Sequence, residues 1–331
     1  MRLTPEQKAE IIRLKRGGMG YRTIAARMEI KHATVRSVCQ RSGLFADNPA
    51  HVAMFSIPEA RYGTALAGIK PLPPQRVITG HHQTDAYLWV LEVIKLDEPA
   101  HLPAAEMALQ KLTITPQEAE QRYRHWLMAQ GHEPFIVAFS TIGMDNPQNC
   151  IENARRAISK ASQVRAHFGS YAAAMEPTEP ERLIAQSVFQ VDEHYGMTPE
   201  EADSGELKGW RIMEVQDARS VAHRGFCDVL PDPHTLSDVV REVEYWDWLY
   251  VMRSAASKAL GDGFYEHHQC ICDREAWLDG KLSTIGPVHQ REALAILKWF
   301  LRSERHQERG EDNDAVYLNL IGSDGKANQF Y

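Results

Sequence analysis

The sequence is short of the features that would remove it from ordinary globular chemistry. Of its 331 residues only five are cysteines, at positions 39, 150, 227, 270 and 272. The number is odd and only the last two lie close together, which excludes the regular framework of a disulfide-stapled secreted domain. Long apolar runs are absent. The longest weakly charged stretch, 134–144, is about half of the roughly 20 residues that a bilayer crossing takes. Glu6, Glu10 and several arginines occupy the place where an export signal needs an apolar core. Together these absences lead us to expect a cytoplasmic protein with no membrane partner. Glycine and proline, at 21 and 17 residues, are not in the excess that marks fibrous or low-complexity chains. Neither a GxxxxGK[ST] phosphate loop nor a GxGxxG dinucleotide turn occurs. ITPQEAE and MTPEEAD recur, but each is an ordinary helix start and no repeat period follows from them.

What the chain does have is a division of charge. Its net charge of −7 is unevenly spread. Residues 1–45 hold ten basic side chains and three acidic ones, a surplus of +7, so the remainder carries −14. A compact basic head on an acidic body is the asymmetry expected when one module meets a polyanion and the other does not.

Within the head, Thr4-Pro5-Glu6-Gln7 is a helix start: Thr4 caps, Pro5 suits the first helical position, and Gln7 reaches back to close a capping box. Ala9, Ile12 and Arg16 fall on neighbouring turns, with Ile11 and Leu14 widening the stripe. Gly17-Gly18 suits a helix end. A second helix is expected over 21–28, burying Ile24, Ala25 and Met28. A third is expected over 32–41, burying Val35 and Val38.

Carried by Ile24, Ala25, Ile30, Thr34, Val35 and Val38, this stretch resembles the helix-turn-helix family found in transposases, invertase-type recombinases and phage or plasmid regulators. The resemblance covers residues 3–43. Glu29 stands where the family usually has a turn glycine, and Lys31 where it usually has a capping serine. The resemblance implies that the third helix enters the major groove, where Lys31, His32, Ala33, Thr34, Arg36, Ser37 and Gln40 read bases, with Arg41 beside them. Tyr21, Arg22 and Arg16, together with Arg13 and Lys15, would hold phosphates. One such unit is small, so a homodimer on double-stranded DNA is expected.

Pro58, Pro71, Pro73, Pro74 and the glycines among them break periodicity, so 46–80 is expected to be a linker between a 1–45 DNA-binding domain and an 81–331 body. The fold class expected is mainly α, with helices through most of the body and a few short strands or hairpins. The strand candidates are 134–141, a β-branched and aromatic run, 265–285, with Asp279-Gly280 as a hairpin turn, and the segment after 315.

Three clusters carry candidate chemistry. On a strand, His268, Cys270 and Cys272 would alternate onto one face, a candidate zinc site, although the spacing fits no standard zinc finger. Gly80-His81-His82-Gln83-Thr84-Asp85 fits a helix N-terminus capped by Thr84 better than a metal patch. Asp273, Glu275, Asp279 and Lys281 have the composition of a nuclease-like set but lack a strand to supply the first carboxylate. No catalytic residue is therefore assigned, and zinc is the only cofactor considered. The function expected is sequence-specific DNA binding as a transcriptional regulator of phage or plasmid type. The alternatives are a metal-dependent nucleic-acid-processing enzyme, nuclease- or transposase-like, and a DNA partition or structural protein.

Overall fold

The computed structural model of the chain describes residues 3–16, 19–63, 68–308 and 313–321. Among them the secondary structure is helical and contains no β-strand. The chain begins with α1 (Pro5–Arg16), α2 (Tyr21–Arg27), α3 (His32–Ser42) and α4 (Pro49–Phe55). Next come α5 (His82–Ile94), α6 (Leu102–Lys111), α7 (Pro116–Ala129), α8 (Pro134–Thr141), α9 (Pro147–Phe168) and α10 (Tyr171–Met175). Then follow α11 (Glu179–Ile184), α12 (Pro199–Ser204), α13 (Trp210–His223), a 3-10 turn (Arg224–Phe226) and the long α14 (Leu236–Leu260). The last elements are α15 (Gln269–Thr284), α16 (Gln290–Phe300), α17 (Glu304–Glu308) and α18 (Asn313–Ile321). No helix among the described residues is long and apolar enough to cross a membrane.

Two compact units share these helices. The first takes residues 1–58, 177–250 and 266–331, and the second takes 59–176 and 251–265. The stretch expected as a linker, 46–80, is thus divided between them. In the first unit, α4 lies against α14: Phe55 is fully buried and its ring meets those of Tyr245 and Trp246 at 5.6 and 6.0 Å. The second unit has its own core, in which Tyr87, Val90, Leu91 and Ile94 of α5 pack with Leu102, Ala105, Ala119, Ile151 and Ala154. Each such large apolar side chain contributes roughly 1.5–3 kcal/mol by leaving water.

All the expected strands are overturned. Residues 134–141 form α8, because Glu133-Pro134 starts a helix and Val137 and Thr141, four apart, bury one face. The 265–285 hairpin is instead α15, with Ile271, Arg274, Leu278 and Leu282 buried at helical spacing and Gly280 inside the helix. From 313 the chain is α18, buried through Val316 and Leu320; the rest of that expected strand pair, 322–331, lies outside the described residues. Smaller differences follow the same logic. The α5 cap is His81, whose Nδ1 accepts the Thr84 amide at 3.2 Å, so Thr84 sits inside the helix. In α1 it is Ile11 and Leu14 that are buried, while Ala9 is exposed. Gly17-Gly18 lies outside the described residues.

Candidate nucleic-acid interface

The head is built from local signals. Thr4 and Gln7 close the capping box, with the Thr4 amide donating to Gln7 Oε1 at 3.0 Å and the Gln7 amide to Thr4 Oγ1 at 3.2 Å. Helices α1–α3 then bury Ile11, Leu14, Ile24, Ala25, Val35, Val38 and Cys39 in one cluster, with Leu3, Met19, Tyr21, Met28, Ile30 and Phe45 around it. Ala25 lets the next helix come close because it ends at Cβ.

The junction between α2 and α3 is a Schellman turn. The Ile30 amide donates to the Ala25 carbonyl at 3.0 Å and the Glu29 amide to that of Ala26 at 3.4 Å. Glu29 takes the position that glycine normally fills, at φ 54°. A side chain there costs about 1–2 kcal/mol against a right-handed conformation. Lys31 stands at the N-cap of α3 and gives no side-chain cap, as its chemistry requires. At the far end Gly43, at φ 72°, closes α3.

Burying Val35, Val38 and Cys39 fixes which face of α3 is left outside. Lys31, His32, Ala33, Arg36, Gln40 and Arg41 are exposed, and Thr34 and Ser37 are half-buried at the border. His32, Arg36 and Gln40, four apart, make a straight stripe of donors and acceptors. Arg22 is exposed, and Tyr21 is half-buried with its ring 6.1 Å from that of His32 and Lys15 Nζ 5.1 Å from its centre. Burial raises the Tyr21 hydroxyl above its ordinary value, so it remains a donor. Arg13 is held by Glu10 at 2.6 and 2.7 Å. The Arg16 side chain lies outside the described residues. Lys8 and Arg27, exposed on the same head, are further cations that were not singled out from the sequence, although their type alone qualifies them.

The head is also tied down. His234 Nδ1 lies 3.2 Å from the Gly43 carbonyl, Thr235 Oγ1 donates to Asp47 at 2.8 Å, and Arg241 reaches Asp47 at 2.5 Å. The Asn48 amide donates to Asp238 at 2.9 Å.

The other candidate clusters are taken up by architecture. His268 precedes α15 and caps it, its Nδ1 3.4 Å from the Cys270 amide and 3.2 Å from Cys270 Sγ. Positions two apart on a helix point about 200° from each other. Cys270 and Cys272 therefore do not share a face, and the alternation that would have joined them with His268 requires a strand. Burial first, and the Asp273 charge second, push the Cys270 thiol up to about 11, the reverse of a poised thiolate. Among the described residues no group of three or more His, Cys, Asp or Glu side chains is placed to hold a metal ion. Asp273 is bound by Arg219 at 2.7 and 2.8 Å, and Glu275 by Arg305 at 2.7 Å. Asp85 accepts from the Thr79 amide and hydroxyl at 2.8 and 2.7 Å.

No protein-family profile, curated protein or solved structure matches this chain.

Proposed function

We propose that the chain is a sequence-specific double-stranded-DNA-binding protein that acts as a transcriptional regulator of phage or plasmid type. The observation that carries the reading is the outer face of α3, where His32, Arg36 and Gln40 stand in line on a helix whose inner face is fully committed to the head core. That stripe is about 12 Å long, enough to span the edges of about three or four base pairs: Arg36 is a bidentate donor for guanine, Gln40 pairs with adenine, and the Ala33 and Thr34 methyls meet thymine. Lys31 would reach a base edge beside them, and Arg41, Arg22 and Tyr21 would sit over phosphates. The +7 charge of residues 1–45 supplies the salt-sensitive attraction.

Such a head spans only a few base pairs, so a specific site calls for two copies. An exposed apolar face on α8 and the residue after it, with Phe135 and Ile142 each 71% exposed and Phe139 61%, supports association with a second copy of the chain.

The test is binding of the full chain to a randomised duplex pool, with selection and sequencing, over a salt series. Enrichment of a short two-fold symmetric site, lost in Arg36→Ala/Gln40→Ala, is the expected result. No binding at low salt, or equal binding by that variant, overturns the reading.

A further inference from the structure

The second unit contains a cavity of about 810 Å³, within the range of small-molecule sites. It lies between α9 and the C-terminal part of α14, with the 95–99 turn at its edge. Its origin is legible in the side chains. Ala157 and Ala161 on α9, and Ala255 and Ala259 on α14, stand four apart where larger residues would close the space. Together with Leu96 and Ile158 they give it an apolar wall.

The charge of the lining does not follow from packing. Lys70, Lys95, Arg156, Lys160, Arg165 and Lys258 are all there, against only two carboxylates, Asp97 and Glu98. The surplus of four positive charges sits in the part of the chain whose overall charge is −14. Both carboxylates are already engaged: Asp97 by Lys258 at 2.5 Å, and Glu98 by the Lys70 and Ala100 amides at 3.2 and 3.3 Å. Lys95, Arg156 and Lys160 have no carboxylate within ion-pair distance among the described residues.

Arg165 adds a second, independent sign. It is 8% exposed, its Nη1 donates to the Tyr171 hydroxyl, and its buried Nε has no acceptor among the described residues. A buried guanidinium donor without an acceptor carries a desolvation cost, and Arg165 is one of the side chains that line the cavity.

We infer that this cavity binds a small organic anion with an apolar body, the body lying on the alanine walls and its anionic head among Lys95, Arg156, Lys160 and Arg165. Carboxylate and phosphate heads share the required chemistry. The inference concerns the second unit alone and does not depend on DNA binding.

The probe is 1-anilinonaphthalene-8-sulfonate, titrated into the full chain and followed by fluorescence, beside N-phenyl-1-naphthylamine, which has the same body without the charge. The expected result is one saturable site for the sulfonate and much weaker binding of the neutral probe. Lys95→Glu/Lys160→Glu, which changes only exposed side chains, should weaken the sulfonate about tenfold or more. Ala161→Leu/Ala255→Leu should abolish the site by filling it. Trp210→Ser/Val221→Ser, on the exposed side of α13 in the first unit, should leave it unchanged. Displacement by decanoate assigns a carboxylate ligand, and displacement by adenosine monophosphate a phosphorylated one. Binding indifferent to both cavity variants, equal binding of the neutral probe, or displacement by neither competitor overturns the inference. Circular dichroism of each variant separates a lost site from a lost fold.

Discussion

Arg274 lays its guanidinium against the Glu242 carboxylate, Nε to Oε1 at 2.7 Å and Nη2 to Oε2 at 2.8 Å, with both side chains wholly withdrawn from solvent. The pair is fully supplied with partners. Glu242 also meets His51 Nε2 at 2.8 Å and the Trp246 indole N–H at 3.2 Å, while Arg274 donates to the Gly225 carbonyl and lies 4.4 Å from the centre of the Trp277 ring. Burial alone would raise the Glu242 carboxyl, but the charge of Arg274 and the contact from His51 outweigh it and hold the group below its ordinary range. Glu242→Gln leaves a buried guanidinium without its counter-charge and should cost about 3–5 kcal/mol. Glu242→Leu/Arg274→Met, which removes both charges, should cost less than Glu242→Gln or Arg274→Met alone. Urea unfolding of the three variants measures this; a double variant worse than both singles would mean that the pair itself supplies the net stability.

Acid should act on the first unit through His223. Burial lowers its imidazole from the ordinary 6.5, opposed by the Asp273 charge and reinforced by those of Arg219 and Arg274. With the folded value below the unfolded one, the unfolded chain binds the extra proton as pH drops through 6.5. Stability is therefore intact above that point and falls towards the folded value, with a slope approaching about 1.4 kcal/mol per pH unit. Urea midpoints between pH 7.5 and 5 should show the decline, and His223→Gln should flatten it.

Gly225 admits no side chain. It lies at φ 62°, and a Cβ built on it would run into the ring of Trp277. Gly225→Ala combines a left-handed penalty with overpacking against an aromatic ring, about 2–5 kcal/mol in all. Thermal melting reads the loss, and a variant within about 1 kcal/mol of the parent, half the lower bound, would show that the ring moves aside freely.

Glu29→Gly should do the opposite. The αL position costs a non-glycine residue about 1–2 kcal/mol, and glycine returns part of that through its more disordered unfolded state, about 0.5–1 kcal/mol. The net gain expected is about 0.5–1 kcal/mol in the stability of the head, visible as later urea unfolding.

The roles proposed for the head separate by salt dependence. Arg22→Ala should weaken binding alike on all duplexes and lower the slope of log affinity against log salt by about one. Arg36→Ala should cost about 1–3 kcal/mol on the selected site and relax preference at one base pair. Anisotropy titrations on selected and scrambled duplexes, each at several salt concentrations, distinguish the two.

The head's architecture was legible because its determinants are local: a capping box, a small residue at position 25 and apolar residues three and four apart. Position 29 was legible even as an exception, since Glu29 does adopt the left-handed turn without glycine. The body misled where composition and periodicity disagree. PFIVAFST has the residues of a strand, yet it buries Val137 and Thr141 at helical spacing and leaves both phenylalanines outside. Asp279-Gly280 between two mixed runs has the composition of a hairpin turn, and the helical stripe of Ile271, Leu278 and Leu282 is completed only by Arg274, a charge that reads as surface. Arg274 is fully buried because its partner lies 32 positions earlier, and no local pattern announces that. The cavity of the second unit was hidden for the same reason. Four alanines on two helices about a hundred positions apart are unremarkable until the fold sets them in one wall.

The anchoring of α4 has a consequence for how the chain is made. The three-helix head closes on contacts inside its first forty-five positions and can form as soon as they leave the ribosome. Phe55 and His51 then wait for Glu242, Tyr245 and Trp246, and the His51 contact alone spans 191 positions. At about 5–20 residues per second, α4 presents an uncovered apolar side for roughly ten to forty seconds of synthesis. A nascent chain stalled in that interval should hold a finished head on an unfinished base, open to chaperones and proteases just behind position 45.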